Sequence, residues 1–147
     1  MKTLLAAAAA LLVSGMACAQ ATPVGLWKTI DDKTKVEKSL VRISESNGVV
    51  TGRIEKILDP AAKPDAVCDE CTGDLKGKPI VGLTIINGVR KNAEHAGQWD
   101  GGSILDPNNG KTYKLRLRPA EDNKKLDVRG YIGTPMIGRS QTWHRVE

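Results

Sequence analysis

The sequence predicts an all-β protein: a small antiparallel up-and-down β-barrel of about eight strands with one long disulfide-stapled loop. Short apolar stretches separated by turn residues follow one another along most of the chain, which is typical of β-sheet proteins. From Tyr113 to Arg118 apolar and basic residues alternate, so that Tyr113, Leu115 and Leu117 share one face of a strand. No long segment after the N-terminal leader shows helical periodicity. A closed barrel fits this pattern because it leaves no strand edge exposed.

The strands are separated by segments with clear turn chemistry. Asn47-Gly48, Asp106 to Gly110 and Glu121 to Asn123 have the residues that hairpin turns require. Gly52 predicts a bulge or a tight bend, and Asn87-Gly88 is either a further turn or a bulge within one bent strand. The predicted strands are Val24 to Thr29, the segment around Val41 and Ile43, Gly48 to Leu58, Ile80 to Ile86, Gln98 to Leu105, Tyr113 to Arg118, Leu126 to Arg129, and Gln141 to Val146.

The segment from Asp59 to Pro79 is predicted to be an ordered loop with one short helical turn at most. Loops of about twenty residues are uncommon unless they are functional or stapled. This one contains Cys68 and Cys71, which predict a disulfide in an oxidising compartment. A thiol oxidoreductase is the alternative, but the acidic Asp69 and Glu70 between the cysteines disfavour the thiolate that such an enzyme needs.

The N-terminus resembles a secretory signal peptide, from Met1 to Ala19. Lys2 supplies the positive charge, Leu4 to Val13 are apolar, and Ala17-Cys18-Ala19 has the small residues of a cleavage site. We therefore expect cleavage near Ala19, a periplasmic or secreted location, and one barrel domain over residues 20–147. Gly15 stands where a lipoprotein signal usually has leucine, so the sequence does not favour a lipid anchor at Cys18.

Length and composition limit the possible classes of protein. The chain has 147 residues, 27% of them charged and 40% hydrophobic, which indicates one globular domain. The net charge of +5 includes no long run of like charge. Export argues against a nucleic-acid partner. After the leader, no segment has the ~20 consecutive apolar residues that a membrane-spanning helix needs.

Short motifs occur in a fixed order over nearly the whole chain beyond the leader. They are Gly25-Leu26-Trp27, Cys68-Asp69-Glu70-Cys71-Thr72-Gly73, Gly101-Gly102-Ser103-Ile104-Leu105-Asp106-Pro107, Leu126-Asp127-Val128-Arg129-Gly130-Tyr131, and Gly138-Arg139-Ser140-Gln141-Thr142-Trp143. Their succession resembles the bacterial exported family known as domain of unknown function 2147. The resemblance implies a small barrel and brings no established activity.

A looser similarity connects the chain with lipocalins and other calycins. These proteins begin with Gly-x-Trp on the first strand and use an arginine of the last strand to close over that tryptophan. The similarity implies that Trp27 closes one end of the barrel under Arg145 or Arg139, with Trp143 as a further barrel-closing candidate. A guanidinium stacked on an indole gains cation–π attraction and excludes water.

No catalytic or cofactor motif is found in the sequence. A nucleophile elbow, a glycine-rich phosphate loop and a zinc-protease helix motif are all missing. His95 and His144 are isolated, so we predict no metal site and no cofactor. The predicted function is a non-catalytic binding module for a small apolar or amphipathic ligand, since a barrel of about eight strands can hold one small molecule. Trp99, Tyr113 and Tyr131 are the candidate ligand contacts.

Basic residues on two adjacent strands suggest an alternative function. Lys114, Arg116, Arg118 and Arg129 project opposite the apolar residues, and we call these four the cationic face. An envelope interaction protein could use such a face to bind a phosphate-bearing lipid or another polyanion. A solvated outer surface that discourages aggregation would have the same pattern.

Overall fold

The computed structural model describes residues 20–147, so the predicted leader, Met1 to Ala19, lies outside the described residues. Eight strands follow one another, with one short 3-10 helix, Gly73–Leu75, between the third and the fourth. No helix in this part of the chain is long and apolar enough to cross a membrane. The strands are β1 (Gly25–Ile30), β2 (Glu37–Ser46), β3 (Val49–Ile57), β4 (Thr84–Lys91), β5 (Trp99–Asp106), β6 (Lys111–Pro119), β7 (Lys125–Tyr131) and β8 (Gly138–Arg145).

The strands form one closed antiparallel barrel. Each strand pairs with the next along the chain, and β8 pairs with β1 to complete the ring. The predicted all-β up-and-down barrel of eight strands is therefore confirmed. The β1–β8 seam is short: within the described chain its paired residues are Trp27 with Arg145 and Lys28 with His144.

Because successive strands run in opposite directions, their connections gather at two ends. The β1–β2, β3–β4, β5–β6 and β7–β8 connections lie at one end, which we call the open end. The other connections lie at the closed end, together with the chain segments before β1 and after β8. The position of a residue within its strand therefore determines the end of the barrel to which it belongs.

Strand β4 continues beyond its predicted end at Ile86, because Asn87-Gly88 forms a bend inside the strand, which is one of the two predicted alternatives. Gly88 has a φ of 69°, and the pairing continues to Lys91. Gly102 of β5 packs directly on this bend, where a Cβ would lie 2.6 Å from the Val89 nitrogen. The predicted start at Ile80 is wrong, because the residues from Ile80 up to Thr84 belong to the preceding connection.

The connection between β3 and β4 is a compact loop with a disulfide, as predicted. Cys68 and Cys71 are bonded, their Cα atoms are 5.3 Å apart, and both side chains are buried. The Cys68 nitrogen donates a hydrogen bond to the Lys78 carbonyl at 2.7 Å, which closes the loop on itself. A Cβ built at Gly110 would lie 3.1 Å from the Cys71 nitrogen, so the loop packs against the β5–β6 turn.

Candidate functional site

The closed half of the barrel is filled with side chains. Two tryptophans and several leucines at this end belong to the buried apolar cluster of the barrel. The largest of them are Trp27, Trp99, Leu115, Leu117 and Leu126. Burial of these apolar side chains is the main stabilisation that the barrel has available.

The open half contains a cavity of about 720 Å³. Its apolar wall includes Ile54, Ile57, Ile85, Ile104, Val128 and Trp143. Pockets that hold small molecules usually have volumes of about 300–1,000 Å³ and mainly apolar walls. The cavity therefore has the size and the surface of a small-molecule site.

An absent side chain accounts for part of this space. Along β7 the inward positions are Leu126, Val128 and Gly130, so a glycine stands where the alternation predicts a larger residue. A Cβ built at Gly130 would lie 3.5 Å from Tyr113 and 3.6 Å from Ile104, and both of these residues line the cavity. These are ordinary contact distances, so Gly130 leaves open a volume that a side chain could occupy.

Polar groups interrupt the apolar wall at a few positions. The Thr29 and Ser39 hydroxyls share a hydrogen bond of 2.9 Å, and Trp143 Nε1 donates to Gln141 Oε1 at 3.1 Å. The Tyr113 hydroxyl accepts a hydrogen bond of 3.0 Å from the β5–β6 turn. Each hydroxyl can still make a further hydrogen bond. A wall of this kind suits a ligand that has both apolar and polar parts.

Two ion pairs lie at the mouth of the cavity. Lys38 Nζ pairs with Asp59 Oδ2. Arg139 Nε donates to Asp32 Oδ2 at 2.8 Å, and its Nη2 contacts Asp32 Oδ1 and lies 3.6 Å from Asp31 Oδ2. These pairs attach the start of the stapled loop to β2 and the β1–β2 connection to β8.

The same contacts lower the pKa of three carboxyl groups at the mouth. The Arg139 guanidinium holds the pKa of Asp32 below its usual value, and the Lys38 ammonium does so for Asp59. The pKa of Asp31 is lowered mainly by a hydrogen bond from the backbone N–H of Thr34. All three groups are therefore charged at neutral pH.

The Arg139–Asp32 pair crosses the part of the seam where β1 and β8 are no longer paired. A second cavity of about 400 Å³ lies there, lined by residues of both strands and of the β1–β2 connection. The ion pair therefore connects β8 with the β1–β2 connection at a position where no β1–β8 backbone pairing is present in the described chain.

We expect acid to weaken this end of the barrel. A carboxyl group with a lowered pKa in the folded state stabilises the fold above its unfolded pKa of about 3.9, and this stabilisation disappears as the pH falls through the folded pKa. The melting temperature should therefore be nearly constant above pH ~5 and fall below pH ~4. Asp32→Asn should show a smaller fall. Thermal unfolding followed by circular dichroism at several pH values measures this, and parallel curves for the two proteins would contradict it.

The closed end is covered by Trp27 and Arg145. The Arg145 guanidinium carbon lies 4.2 Å from the centroid of the indole ring. Arg145 also donates to the carbonyls of Val24 at 2.8 Å and Asn123 at 2.5 Å, while Trp27 Nε1 donates to the Pro23 carbonyl at 2.7 Å. Burial lowers the pKa of Arg145, but arginine starts so high that the group stays charged. One arginine thus joins the segment before β1, the residues after β8 and the β6–β7 turn.

The structure separates the predicted site residues between the two ends. Tyr113 and Tyr131 line the cavity, although ligand contact by either one stays a prediction. Trp99, the third candidate, does not line this cavity: it begins β5 at the closed end and is buried there, with Lys91 Nζ 5.7 Å from its ring centroid. Of the barrel-closing candidates, Arg139 lies near the start of β8 at the open end, away from Trp27. Trp143 lies opposite Leu126 in the ladder and also lines the cavity, so its closing role stays a prediction.

The cationic face lies on the outside of β6 and β7. Arg116 and Arg129 are directly opposite each other in the ladder. Arg118 donates to Gln98 Oε1 at 2.7 Å. Within the described residues, none of the four cations lies within 4.0 Å of a carboxylate oxygen.

The two histidines lie in different parts of the barrel. His95 lies in the β4–β5 connection and His144 on the outside of β8, both exposed. Residues 20–147 contain no group of three or more His, Cys, Asp or Glu side chains arranged to hold a metal ion.

Comparisons with known proteins agree with the barrel. A family model described as "Uncharacterized protein conserved in bacteria (DUF2147)" matches residues 25–145. A solved structure described as "Protein HP1028 from the human pathogen Helicobacter pylori belongs to the lipocalin family" has a TM-score of 0.71 and 19% identity, covering 84% of this chain and 82% of that chain. At this identity the likeness concerns the fold. No curated protein matches the sequence. Because the family model spans most of the chain, this lipocalin-like barrel belongs to the bacterial family DUF2147.

Proposed function

We propose that the protein is an exported, non-catalytic binding module that holds a small apolar or amphipathic molecule in the cavity of its open half. The observation that carries this proposal is the division of the barrel. One half is filled by tryptophan and leucine side chains, while the other half leaves about 720 Å³ between aliphatic walls. Filling that space with side chains would stabilise the barrel, so an open cavity suggests selection for a ligand.

The arrangement of polar groups favours an amphipathic ligand. Buried residues such as Ile54 and Trp143 line the inner part of the cavity, whereas Lys38, Asp59 and Arg139 lie at the mouth. A ligand with an apolar body would occupy the inner part and keep its polar end among the charged groups. Such a site fixes orientation with few polar contacts, as small-molecule sites usually do.

Thiol chemistry receives less support. Both cysteine side chains are almost completely buried, and Cys68 Sγ lies 3.7 Å from the Pro107 carbonyl under the β5–β6 turn. A redox-active pair needs a partly exposed sulfur in electropositive surroundings. We therefore assign the disulfide a structural role.

Substitution of Gly130 tests the proposed site directly. A leucine at Gly130 has room for its Cβ and would place its side chain in the cavity. We expect Gly130→Leu to weaken binding of the apolar dye Nile red by at least about tenfold, or roughly 1.4 kcal/mol. The melting temperature should stay the same or rise, because the new side chain is buried. A fluorescence titration and a thermal melt measure the two quantities.

Thr51→Leu is the matched control, because Thr51 is exposed on the outside of β3. It adds apolar volume without entering the cavity, so its dye affinity should equal that of the wild type. Equal affinity of Gly130→Leu and wild type would contradict the proposed site. Native mass spectrometry of the protein from the cells that produce it should in addition show a mass that disappears on denaturation.

A further inference from the structure

The exposed apolar side chains of this protein are concentrated at one end. Among the described residues, eight large hydrophobic side chains are exposed, and seven of them lie in connections at the open end. The eighth, Val146, lies at the closed end. Scattered exposed hydrophobic residues need no explanation, but a cluster at one end marks a surface that contacts something apolar.

The β7–β8 connection is the most apolar part of this end. We call residues 132–137 the docking loop. Met136 is 89% exposed, Ile137 is 67% exposed and Ile132 is 63% exposed. The loop satisfies many of its own backbone groups: the Ile132 nitrogen donates to the Ile137 carbonyl at 2.9 Å, and the Ile137 nitrogen donates to the Thr134 carbonyl at 3.0 Å. A loop with paired backbone groups enters an apolar environment at lower cost.

The cationic face is continuous with this loop. Arg129 Nε donates to the Pro135 carbonyl at 2.6 Å, and Lys114 Nζ lies 3.4 Å from the Gly133 carbonyl. Arg116 faces Arg129 across the ladder, and its buried Nε has no hydrogen-bond partner in the described structure. Like charges directly opposite in a sheet destabilise it. An anion bound beside them would relieve that repulsion.

We propose that the docking loop attaches the protein to an anionic phospholipid bilayer. Ile132, Met136 and Ile137 enter the headgroup region, while Lys114, Arg116 and Arg129 contact lipid phosphates. Apolar side chains flanked by cations are the combination that binds such an interface. The long β3–β4 connection, also at the open end, has five carboxylates and three lysines. An anionic bilayer would repel this acidic connection, so we expect the protein to approach the bilayer with its β7–β8 side.

This arrangement would place the cavity mouth against the membrane, because Ile132 and Ile137 also line the cavity. The significance of this orientation for a ligand rests on the proposed function of the cavity. The attachment to the bilayer does not depend on it. Gly130→Leu should therefore bind vesicles as the wild type does, and the two proposals can fail separately.

Vesicle sedimentation tests the docking. The wild-type protein should bind vesicles of equal parts phosphatidylcholine and phosphatidylglycerol and should not bind phosphatidylcholine alone. A basic residue beside an anionic surface strengthens binding about fivefold, so Lys114→Glu with Arg116→Glu should weaken it by at least about 25-fold. Met136→Ser with Ile137→Ser should also reduce binding, and this loss should remain at low salt because it is apolar in origin.

Two further variants control for net charge and for the loss of an exposed apolar side chain. Arg53→Glu with Lys56→Glu changes the same number of charges on exposed positions of β3 and should bind like the wild type. Val146→Ser removes an exposed apolar side chain at the closed end and should do the same. The proposal is overturned if the wild type fails to bind anionic vesicles or if either control loses as much binding as its partner variant.

Other occupants of this surface give distinct results. A soluble polyanion partner predicts that vesicle binding survives Met136→Ser with Ile137→Ser. A second copy of this chain predicts a dimer in sedimentation equilibrium that the same variant dissociates, without vesicle binding by the wild type. Either result would overturn the bilayer proposal.

Discussion

Replacing Trp27 with alanine is expected to lower the free energy of unfolding by about 3–5 kcal/mol, the usual cost of removing a fully buried aromatic side chain. Trp27 is completely buried, donates its indole N–H to the Pro23 carbonyl at 2.7 Å, and supports the Arg145 guanidinium 4.2 Å from its ring. Without the indole, Arg145 would lose its stacking partner, and the closed end would admit water. Urea unfolding followed by circular dichroism measures the loss.

Two further variants separate the contributions at this end. Trp27→Phe keeps an aromatic ring but removes the hydrogen bond to Pro23, so its loss should be clearly smaller than that of Trp27→Ala. Arg145→Lys keeps the charge but loses the planar fork that reaches the Val24 and Asn123 carbonyls, so it should also destabilise the barrel. A loss below about 1 kcal/mol for Trp27→Ala would show that the closed end does not hold the barrel together.

Alternation along single strands was enough to predict the barrel. The faces of β6 follow from the local pattern between Tyr113 and Arg118, although the strand itself extends from Lys111 to Pro119. The pattern could not decide the structure at Asn87-Gly88, because an Asn-Gly pair is found both in hairpin turns and in bulges. What decides between them is the approach of Gly102 from β5, a contact between residues distant in sequence.

The end of the barrel to which a residue belongs could also have been derived from the sequence. In an up-and-down barrel the first residues of successive strands lie at alternating ends. Trp99 begins an odd-numbered strand and Tyr113 lies near the start of an even-numbered one, so they belong to opposite ends. The same reasoning separates Arg139 from Arg145 along β8 and places Arg145 beside Trp27.

The cavity itself was harder to predict. A glycine at the inward position Gly130 was visible in the sequence, but an inward glycine can have different consequences. At Gly52 a Cβ would lie 3.0 Å from Ile86, so that side chain already fills the space. Gly130 has no neighbour that close, and the volume remains open. Only the packing of the other strands distinguishes the two cases.

Replacing Gly110 with alanine should displace the stapled loop from the β5–β6 turn. Gly110 has a φ of 70°, where an L-residue costs about 1–2 kcal/mol. In addition, its Cβ would collide with the Glu70 carbonyl and lie 3.1 Å from the Cys71 nitrogen. Since backbone atoms cannot move aside as a flexible side chain can, we expect a total loss of at least about 2 kcal/mol in urea unfolding.

Gly97→Ala isolates the effect of the collision. Gly97 has a φ of 75° and nothing within 4 Å of its Cβ position, and it lies at the closed end. It should therefore show the backbone cost alone. Gly110→Ala should also make the buried disulfide react faster with a small thiol reductant, because the loop that covers Cys68 and Cys71 is displaced. Equal stability losses and equal reduction rates in the two variants would show that the loop does not depend on its contact with this turn.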